Sequence, residues 1–385
     1  MKPIYISKSI YEYTSNDKLT FLYDIDSKFI AGNPGFVGGA RYGSIEKNWD
    51  LCVPDLYKGP NLNVESTATF ADITDARAIE LEQLVQSSKK PLGVMWSGGI
   101  DSTVIIAACI RNFKNLDNLT VFMNNYSYYE NAQFFHDVIK KYNFDVININ
   151  DGTSDKHKHF IIGHGDPSFD DLNQKARYQE KYPLHDSILS SKDNIINFMT
   201  QYVERNRHSR SPPLSQEFAI QYFELIQQNI EQTSAPIETV NDWFYWVNFN
   251  FCWTGNQLQH YSKQAYNKNT KNFYTFNTNT FNWFNTHEYQ TWSFSDIGKQ
   301  EKYSTNLYNY VTMPAYRNKQ FAKDYIYTVH KNEYLKYKTK CLSNYNYSWA
   351  GPGFIKNVVV FDDGTGINDN EPERLQKFIQ DYCLV

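Results

Sequence analysis

The segment that most restricts the fold of this 385-residue chain is an apolar run, a glycine-rich turn and a second apolar run at residues 91–110. The turn, residues 97–102, reads Ser-Gly-Gly-Ile-Asp-Ser. Adjacent glycines let the backbone approach a ligand closely, and a helix that follows directs its unpaired N–H groups and positive dipole end towards an anion. The pattern therefore predicts a strand, a phosphate-binding turn and a helix.

The polar residues of this glycine-rich turn suit a pyrophosphate group and a divalent cation. Ser97 and Ser102 add hydroxyl donors, whereas Asp101 would repel a phosphate unless a cation lay between the two. We therefore expect Ser97, Gly98, Gly99, Asp101 and Ser102 to bind the phosphates of ATP, with Asp101 also holding Mg²⁺. No Gly-Lys-Ser/Thr sequence follows, so the turn is not a Walker A loop. The alternative is a glycine-rich strand-to-helix turn that binds nothing.

Hydrophobic periodicity around the turn predicts an α/β fold with a parallel sheet flanked by helices. Further strands are expected at residues 119–124, 145–150 and 159–163, and a helix at residues 131–142. Because alternating strands and helices favour right-handed crossovers, the ligand is expected at the carboxyl ends of the strands.

A helix is also expected at residues 75–88, just before the first strand of this sheet. Thr74 or Asp75 is available as its N-cap. Its apolar positions follow helical spacing and predict a buried face made of Ala78, Leu81, Leu84 and Val85. Helical patterns recur later in the chain, at residues 218–230, 240–261 and 315–337.

The chain is long enough for two domains. Residues 1–70 alternate apolar and polar positions between glycines and predict a small β-rich module, and residues 71–385 are expected to form the larger domain, with a mostly helical C-terminal part. The net charge of −4 argues against a nucleic-acid partner. Five scattered cysteines and the lack of a long apolar segment favour a cytoplasmic protein without a membrane partner.

The turn sequence resembles the PP-loop of the N-type ATP pyrophosphatases, which cleave ATP between the α and β phosphates and adenylate a substrate. Within this superfamily the chain is most similar to the synthetase domain of asparagine synthetases and to their relatives, the β-lactam synthetases and lasso-peptide cyclases. Three features carry the resemblance: a helix before the loop strand, the sequence Gly-Val-Met-Trp-Ser-Gly-Gly-Ile-Asp-Ser at residues 93–102, and the spacing from the turn to residues 125–134. The sequence Ile-Ile-Gly-His-Gly-Asp-Pro at residues 161–167 matches as well. The resemblance is specific over residues 72–166.

The resemblance implies an adenine nucleotide α-hydrolase-like fold and an AMP-forming amide ligase that uses ATP and Mg²⁺. Such an enzyme adenylates a small-molecule carboxylate and passes it to ammonia or an amine. In the family's Gly-x-Gly-x-Asp turn, a second Asp binds Mg²⁺ and a residue between the glycines helps to deprotonate or orient the substrate. Asp166 and His164 match these two positions, although the turn here is one residue shorter.

Two further sets of residues follow from the same resemblance. The family places a lysine over the α-phosphate, where a fixed cation stabilises developing charge, and Lys338 and Lys340 are the candidates near the C-terminus. Backbone groups near Val94, Met95 and Met123, at the strand ends, are expected to contact adenine.

The chain departs from the family at its N-terminus. Lys2 stands where glutamine-dependent members have a catalytic Cys, and about 70 residues replace a full glutaminase domain, so in-chain ammonia production is not expected. Two other functions stay open. One is a PP-loop enzyme that adenylates a nucleobase or tRNA, and the other is a non-catalytic descendant that binds a nucleotide.

Overall fold

The computed structural model describes residues 3–7, 36–37, 65–123, 125–148, 161–164, 178–205, 215–233, 235–252, 280–303, 319–331, 358–361, 366–368, 373–374 and 376–377. The chain folds as two compact units. The first contains residues 1–59, 170–276 and 348–385, and the second contains residues 60–169 and 277–347. The glycine-rich turn belongs to the second unit. The expected boundary near residue 70 stays a prediction.

The described elements are a mixture of strands and helices. In chain order they are β1 (Pro3–Ser7), β2 (Phe36–Val37), α1 (Phe70–Ser88), β3 (Leu92–Met95), α2 (Ile100–Asn112), β4 (Leu119–Met123), α3 (Asn125–Glu130), α4 (Ala132–Phe134), β5 (Asp145–Asn148) and β6 (Ile161–His164). They continue with α5 (Lys192–Arg205), α6 (Gln216–Glu231), α7 (Val240–Val247), β7 (Thr280–Asn282), α8 (His287–Phe294), α9 (Asp296–Tyr303), α10 (Gln320–Tyr327), β8 (Val358–Phe361) and β9 (Gly366–Asn368).

The second unit is built on a five-stranded sheet with the order β5-β4-β3-β6-β7. Each neighbouring pair is parallel, as in Val94 beside Val121 on one side and beside Gly163 on the other. The expectation of a parallel sheet flanked by helices is therefore confirmed at this level. β3 is the central strand, and Leu92 and Val94 are fully buried there.

The strand order changes direction at β3. The chain passes from β3 outwards through β4 to β5, and then returns to the other side of β3 to form β6 and β7. In open parallel sheets a crevice lies at such a reversal, outside the carboxyl ends of the strands. The glycine-rich turn follows β3 directly, so the topology places it at this crevice.

The first unit contains a separate sheet with the order β2-β1-β8-β9, in which all neighbours are antiparallel. β1 pairs with β8 from the far end of the chain, for example Ile6 with Val359. Most of residues 1–70 lies outside the described residues. The β-rich prediction can therefore be compared only at β1 and β2, and both are strands.

Helix α1 differs from its prediction at two points. It begins at Phe70, and Thr69 is its N-cap in a capping box with Asp72, so neither Thr74 nor Asp75 caps it. Ala78, Leu81 and Val85 are buried as predicted, but the predicted inward residue Leu84 is 44% exposed. Glu82 occupies the buried stripe instead, because its carboxylate accepts hydrogen bonds from the backbone N–H groups of Lys114 and Asn115.

The other predicted helices lie at the expected positions, but two of them are partly π-helical. Residues 131–142 form only one α-helical turn, α4, followed by a π-helical turn at Phe135–Ile139. The predicted helix at residues 240–261 is α7 followed by a π-helical turn at Asn248–Cys252, beyond which the chain lies outside the described residues. α6 covers the predicted residues 218–230, and α10 lies within residues 315–337.

An aromatic cluster packs α10 against the rest of the second unit. The Phe70 ring lies 4.7 Å from that of Phe321 and 5.3 Å from that of Trp292, both measured between centroids. Tyr325 meets Phe70 edge to face at 6.2 Å. Because Phe321 and Tyr325 both belong to α10, this core fixes the helix beside α1.

Candidate functional site: the glycine-rich turn

The glycine-rich turn depends on glycine at its second position. Gly98 has a φ of +81°, in the region that L-amino acids with a side chain rarely adopt. A Cβ at this position would lie 2.5 Å from the backbone oxygen of Ser127 and 2.7 Å from the Cβ of Glu130. Both residues belong to α3, so α3 packs directly on the turn and leaves no room for a side chain.

Hydroxyl groups hold the turn in one conformation. The Ser102 Oγ accepts a hydrogen bond from the backbone N–H of Ser97 at 3.1 Å and also lies 3.1 Å from the Ser97 Oγ. The Thr103 Oγ1 donates to the Gly99 carbonyl at 2.8 Å and accepts from the indole N–H of the buried Trp96 at 3.0 Å. The turn is therefore pre-organised by its own side chains.

The turn leads into the N-terminus of α2. Gly99 is the N-cap, and within the described part of the chain no side chain caps the helix there. Ser97 is exposed, and Ser102 is buried beneath the turn. An uncapped helix N-terminus behind a glycine turn has the geometry that binds phosphate groups.

Asp101, in the first turn of α2, forms an ion pair with Lys319. The Lys319 Nζ donates to Oδ1 at 2.7 Å and to Oδ2 at 2.6 Å. The Lys319 side chain is 8% exposed and that of Asp101 is 23% exposed, so the pair is shielded from solvent. Lys319 thus balances the Asp101 charge, a possibility that the sequence argument for Mg²⁺ did not consider.

Lys319 is the N-cap of α10 and has a φ of +54°. Its contact with Asp101 places the N-terminus of α10 beside that of α2. Helix N-termini carry partial positive charge, whereas the Lys319 ammonium and the Asp101 carboxylate between them balance one another. The two helix N-termini therefore favour an anionic ligand at the turn.

The opposite end of α10 is joined to α1 and α2 through Asp75. The Asp75 carboxylate accepts hydrogen bonds from the Tyr325 hydroxyl, from Asn112 at 2.7 Å and from Arg111 at 2.8 and 3.2 Å. Burial alone would raise the pKa of Asp75, but the hydrogen bonds from Tyr325, Asn112 and Arg111 outweigh it and keep the pKa below its usual value. Asp75 is therefore a carboxylate held ionised by its neighbours.

The predicted adenine contacts lie on the two central strands. Met95 ends β3 and Met123 ends β4, so both are at the carboxyl edge of the sheet beside the turn. Val94 lies inside the sheet, with β4 and β6 paired on either side. Their roles stay predictions.

The predicted site residue His164 is the last residue of β6. β6 pairs with β3 in parallel, with Gly163 beside Val94, so the two strands end at the same edge of the sheet. The backbone of His164 is therefore on the edge from which Ser97 emerges. Asp166, Lys338 and Lys340 lie outside the described residues, and their assignments stay predictions.

Asp101 is the predicted metal ligand that the structure describes, since carboxylate oxygens are the ligands that Mg²⁺ prefers, and both of its oxygens contact the Lys319 ammonium here. Among the described residues there is no group of three or more His, Cys, Asp or Glu side chains suited to a metal ion. The second predicted ligand, Asp166, lies outside the described residues.

Among the helices that the structure describes, none has the length and apolar character needed to cross a membrane.

Sequence reasoning missed Lys319, although the sequence contains a signal for it. A cation is disfavoured at a helix N-terminus, and α10 has no acidic residue in its first turn to compensate. A lysine at the start of an amphipathic helical stretch therefore indicates a carboxylate or an anionic ligand nearby.

Comparisons with protein-family models, with curated proteins and with solved structures gave no match to this chain.

Proposed function

We propose that the protein is an ATP-dependent, AMP-forming amide ligase of the asparagine synthetase-like kind, a member of the PP-loop ATP pyrophosphatases. The observation that carries the proposal is the meeting of four features at one point. The glycine-rich turn, the N-termini of α2 and α10, and the Lys319 ammonium all lie at the carboxyl edge of a parallel sheet, where its strand order reverses. This combination suits a polyphosphate.

The turn would bind the part of ATP that leaves. Backbone N–H groups around Gly98 and Gly99, with the Ser97 hydroxyl, would hold the β and γ phosphates. A side chain at position 98 would collide with Ser127 and Glu130 of α3, so glycine is needed to keep the turn in the conformation that would present these N–H groups. Pyrophosphate would then depart into a turn already fixed by the Ser102 and Thr103 hydroxyls.

Lys319 is well placed to act on the α-phosphate. In the first step a substrate carboxylate oxygen bonds to the α-phosphorus while the bond to the β-phosphate oxygen breaks. Negative charge increases on the non-bridging oxygens, and a fixed, shielded ammonium stabilises it. The resemblance assigned this role to Lys338 or Lys340, whereas Lys319 is the lysine whose contact with the turn is described.

In the second step an amine nitrogen bonds to the acyl carbon, AMP leaves, and the nitrogen loses a proton. His164, at the end of β6, is the proposed acceptor of that proton, since imidazole titrates near neutral pH. Mg²⁺, which Asp101 and Asp166 would hold, would supply charge neutralisation for the departing pyrophosphate.

Lys319→Ala tests the proposal most directly. We expect wild-type protein with Mg-ATP, l-aspartate and ammonium chloride, or with another amino-acid and amine pair from a panel, to release AMP and pyrophosphate. Loss of one preorganised charge should lower that rate about 100-fold or more. Lys192→Ala, which removes an exposed lysine paired with Glu224 at 3.2 Å, is the matched control and should retain full activity.

Other outcomes would decide between the alternatives. Calorimetry with α,β-methylene-ATP measures binding without needing the second substrate, and failure to bind would refute the nucleotide site. Binding without any pyrophosphate release across the panel would favour a non-catalytic descendant. A gel shift with tRNA would favour the enzyme class that adenylates a nucleobase, and release of ADP and phosphate would exclude the whole reaction class.

A further inference from the structure

Helices α2 and α10 run side by side in the same direction and are joined at both ends. At their N-terminal ends, Asp101 of α2 meets Lys319 at the start of α10. At their C-terminal ends, the Arg111 guanidinium of α2 donates to the Thr328 hydroxyl at 2.8 Å and lies 4.9 Å above the Tyr325 ring. The pairing is therefore parallel and in register.

The spacing of these contacts is matched along the two helices. At about 1.5 Å per residue, Asp101 and Arg111 are about 15 Å apart along α2, and Lys319 and Thr328 are about 14 Å apart along α10. A rigid helix fixed at one end transmits its position to the other end. The contacts at Thr328 and Tyr325 therefore set how far Lys319 extends towards the glycine-rich turn.

Asp75 is the centre of the contacts at the C-terminal ends. It lies on α1 and accepts hydrogen bonds from Asn112 and Arg111 of α2 and from the Tyr325 hydroxyl of α10. Burial, and then the hydrogen bond to Asp75, raise the pKa of the Tyr325 hydroxyl, so this group stays a donor at physiological pH. One carboxylate thus ties three helices together, far from the turn.

We propose that Asp75 and Tyr325 are positioning residues that hold Lys319 against Asp101 through the rigid helix α10. Neither residue touches the turn itself. The effect that these two residues would have on catalysis rests on the proposed function. Their effect on the position of the Lys319 ammonium does not rest on it and can be measured without ATP.

The geometric test is a zero-length carbodiimide cross-link between Asp101 and Lys319 in the purified full chain, quantified by peptide mass spectrometry. The 2.6 Å contact should give this amide in the wild type. Tyr325→Phe removes only the hydroxyl and keeps the ring packed on Phe70. It should lower the yield of the cross-link by about threefold or more, which corresponds to a weak coupling between two sites. Asp75→Asn should act in the same direction.

The matched control is Tyr142→Phe, which removes the hydroxyl of a tyrosine that is 42% exposed and stacked on Phe144. It should leave the cross-link yield unchanged. If Tyr325→Phe and Asp75→Asn both cross-link as efficiently as this control, the positioning role is wrong. An equal decrease in the control would also overturn it, because the effect would then be general.

A double-mutant cycle tests the catalytic consequence. Tyr325→Phe should slow ATP–pyrophosphate exchange in the wild-type background by about threefold or more and have no further effect in the Lys319→Ala background. Equal losses in both backgrounds would mean a structural role that does not act through Lys319. If the wild type releases no pyrophosphate while the cross-link still responds to Tyr325→Phe, the proposed function fails and the positioning of Lys319 stands.

Discussion

Lys323→Met should change the stability of the folded protein in a pH-dependent way, favouring the variant more at pH 7 than as the pH approaches 10. Lys323 lies one turn after Lys319 on α10 and is only 1% exposed. The pKa of this ammonium is lowered from 10.5 to about 8, chiefly by burial, with the Asp324 charge opposing the change and the nearby Lys319 charge adding to it. The folded state therefore disfavours a charge that the unfolded chain carries without cost.

The magnitude follows from the two pKa values. Between about pH 8 and 10.5 the unfolded chain binds a proton that the folded chain has released, so the stability of the wild type rises with pH in this window. Below it the buried ammonium costs about 3 kcal/mol, and at pH 10 less than about 1 kcal/mol. Methionine has no ammonium, so the stability difference between variant and wild type should fall by about 2 kcal/mol from pH 7 to pH 10.

Urea unfolding followed by tryptophan fluorescence at both pH values measures this difference. Any change in packing caused by methionine contributes equally at pH 7 and pH 10, so the pH-dependent part isolates the ammonium. Lys331→Met, at an exposed lysine, is the control and should show no comparable pH dependence. A Lys323→Met difference that is the same at both pH values would show that the folded state bears no cost for this charge.

Two further outcomes are expected from buried positions around α2. Gly98→Ala should destabilise the protein by about 2 kcal/mol or more and abolish α,β-methylene-ATP binding, because of the positive φ and the close α3 backbone. Gly99→Ala should have a smaller effect, because a Cβ there would meet only the Ser97 Oγ at 3.2 Å. Thermal unfolding and calorimetry compare the two, and equal effects would contradict the steric argument. Burial, and then the Glu82 carboxylate, raise the pKa of the fully buried Cys109 thiol, so it should resist alkylation in the native protein and react only on unfolding. Peptide-level mass spectrometry detects this, and rapid native alkylation would contradict it.

The strand, turn and helix around the glycine-rich turn could be predicted from the sequence because their signals are local. An apolar run, paired glycines and a second apolar run each restrict the backbone independently of distant contacts. The parallel sheet followed from the same alternation of periods. These features needed no knowledge of which residues approach from elsewhere in the chain.

The errors arose where a distant partner reverses a local preference. Glu82 takes a buried position because the backbone N–H groups of Lys114 and Asn115 pair with it, and Leu84 is exposed in consequence. Asp75 looked like a helix cap, but it is the acceptor for Arg111 and Tyr325. Lys319 was missed because Asp101, its partner, is more than two hundred positions earlier in the chain.

The pairing of β1 with β8 has a consequence for synthesis on the ribosome. Four of the five parallel strands, β3 to β6, lie within residues 92–164, so much of that sheet can assemble while later residues are still being added. β1 is made first, yet its partner β8 begins only at Val358. At about 5–20 residues per second, β1 must wait roughly 20–70 s for that partner. Until then β1 can pair only with the two-residue strand β2, and its other edge stays exposed, a state in which chaperones commonly bind.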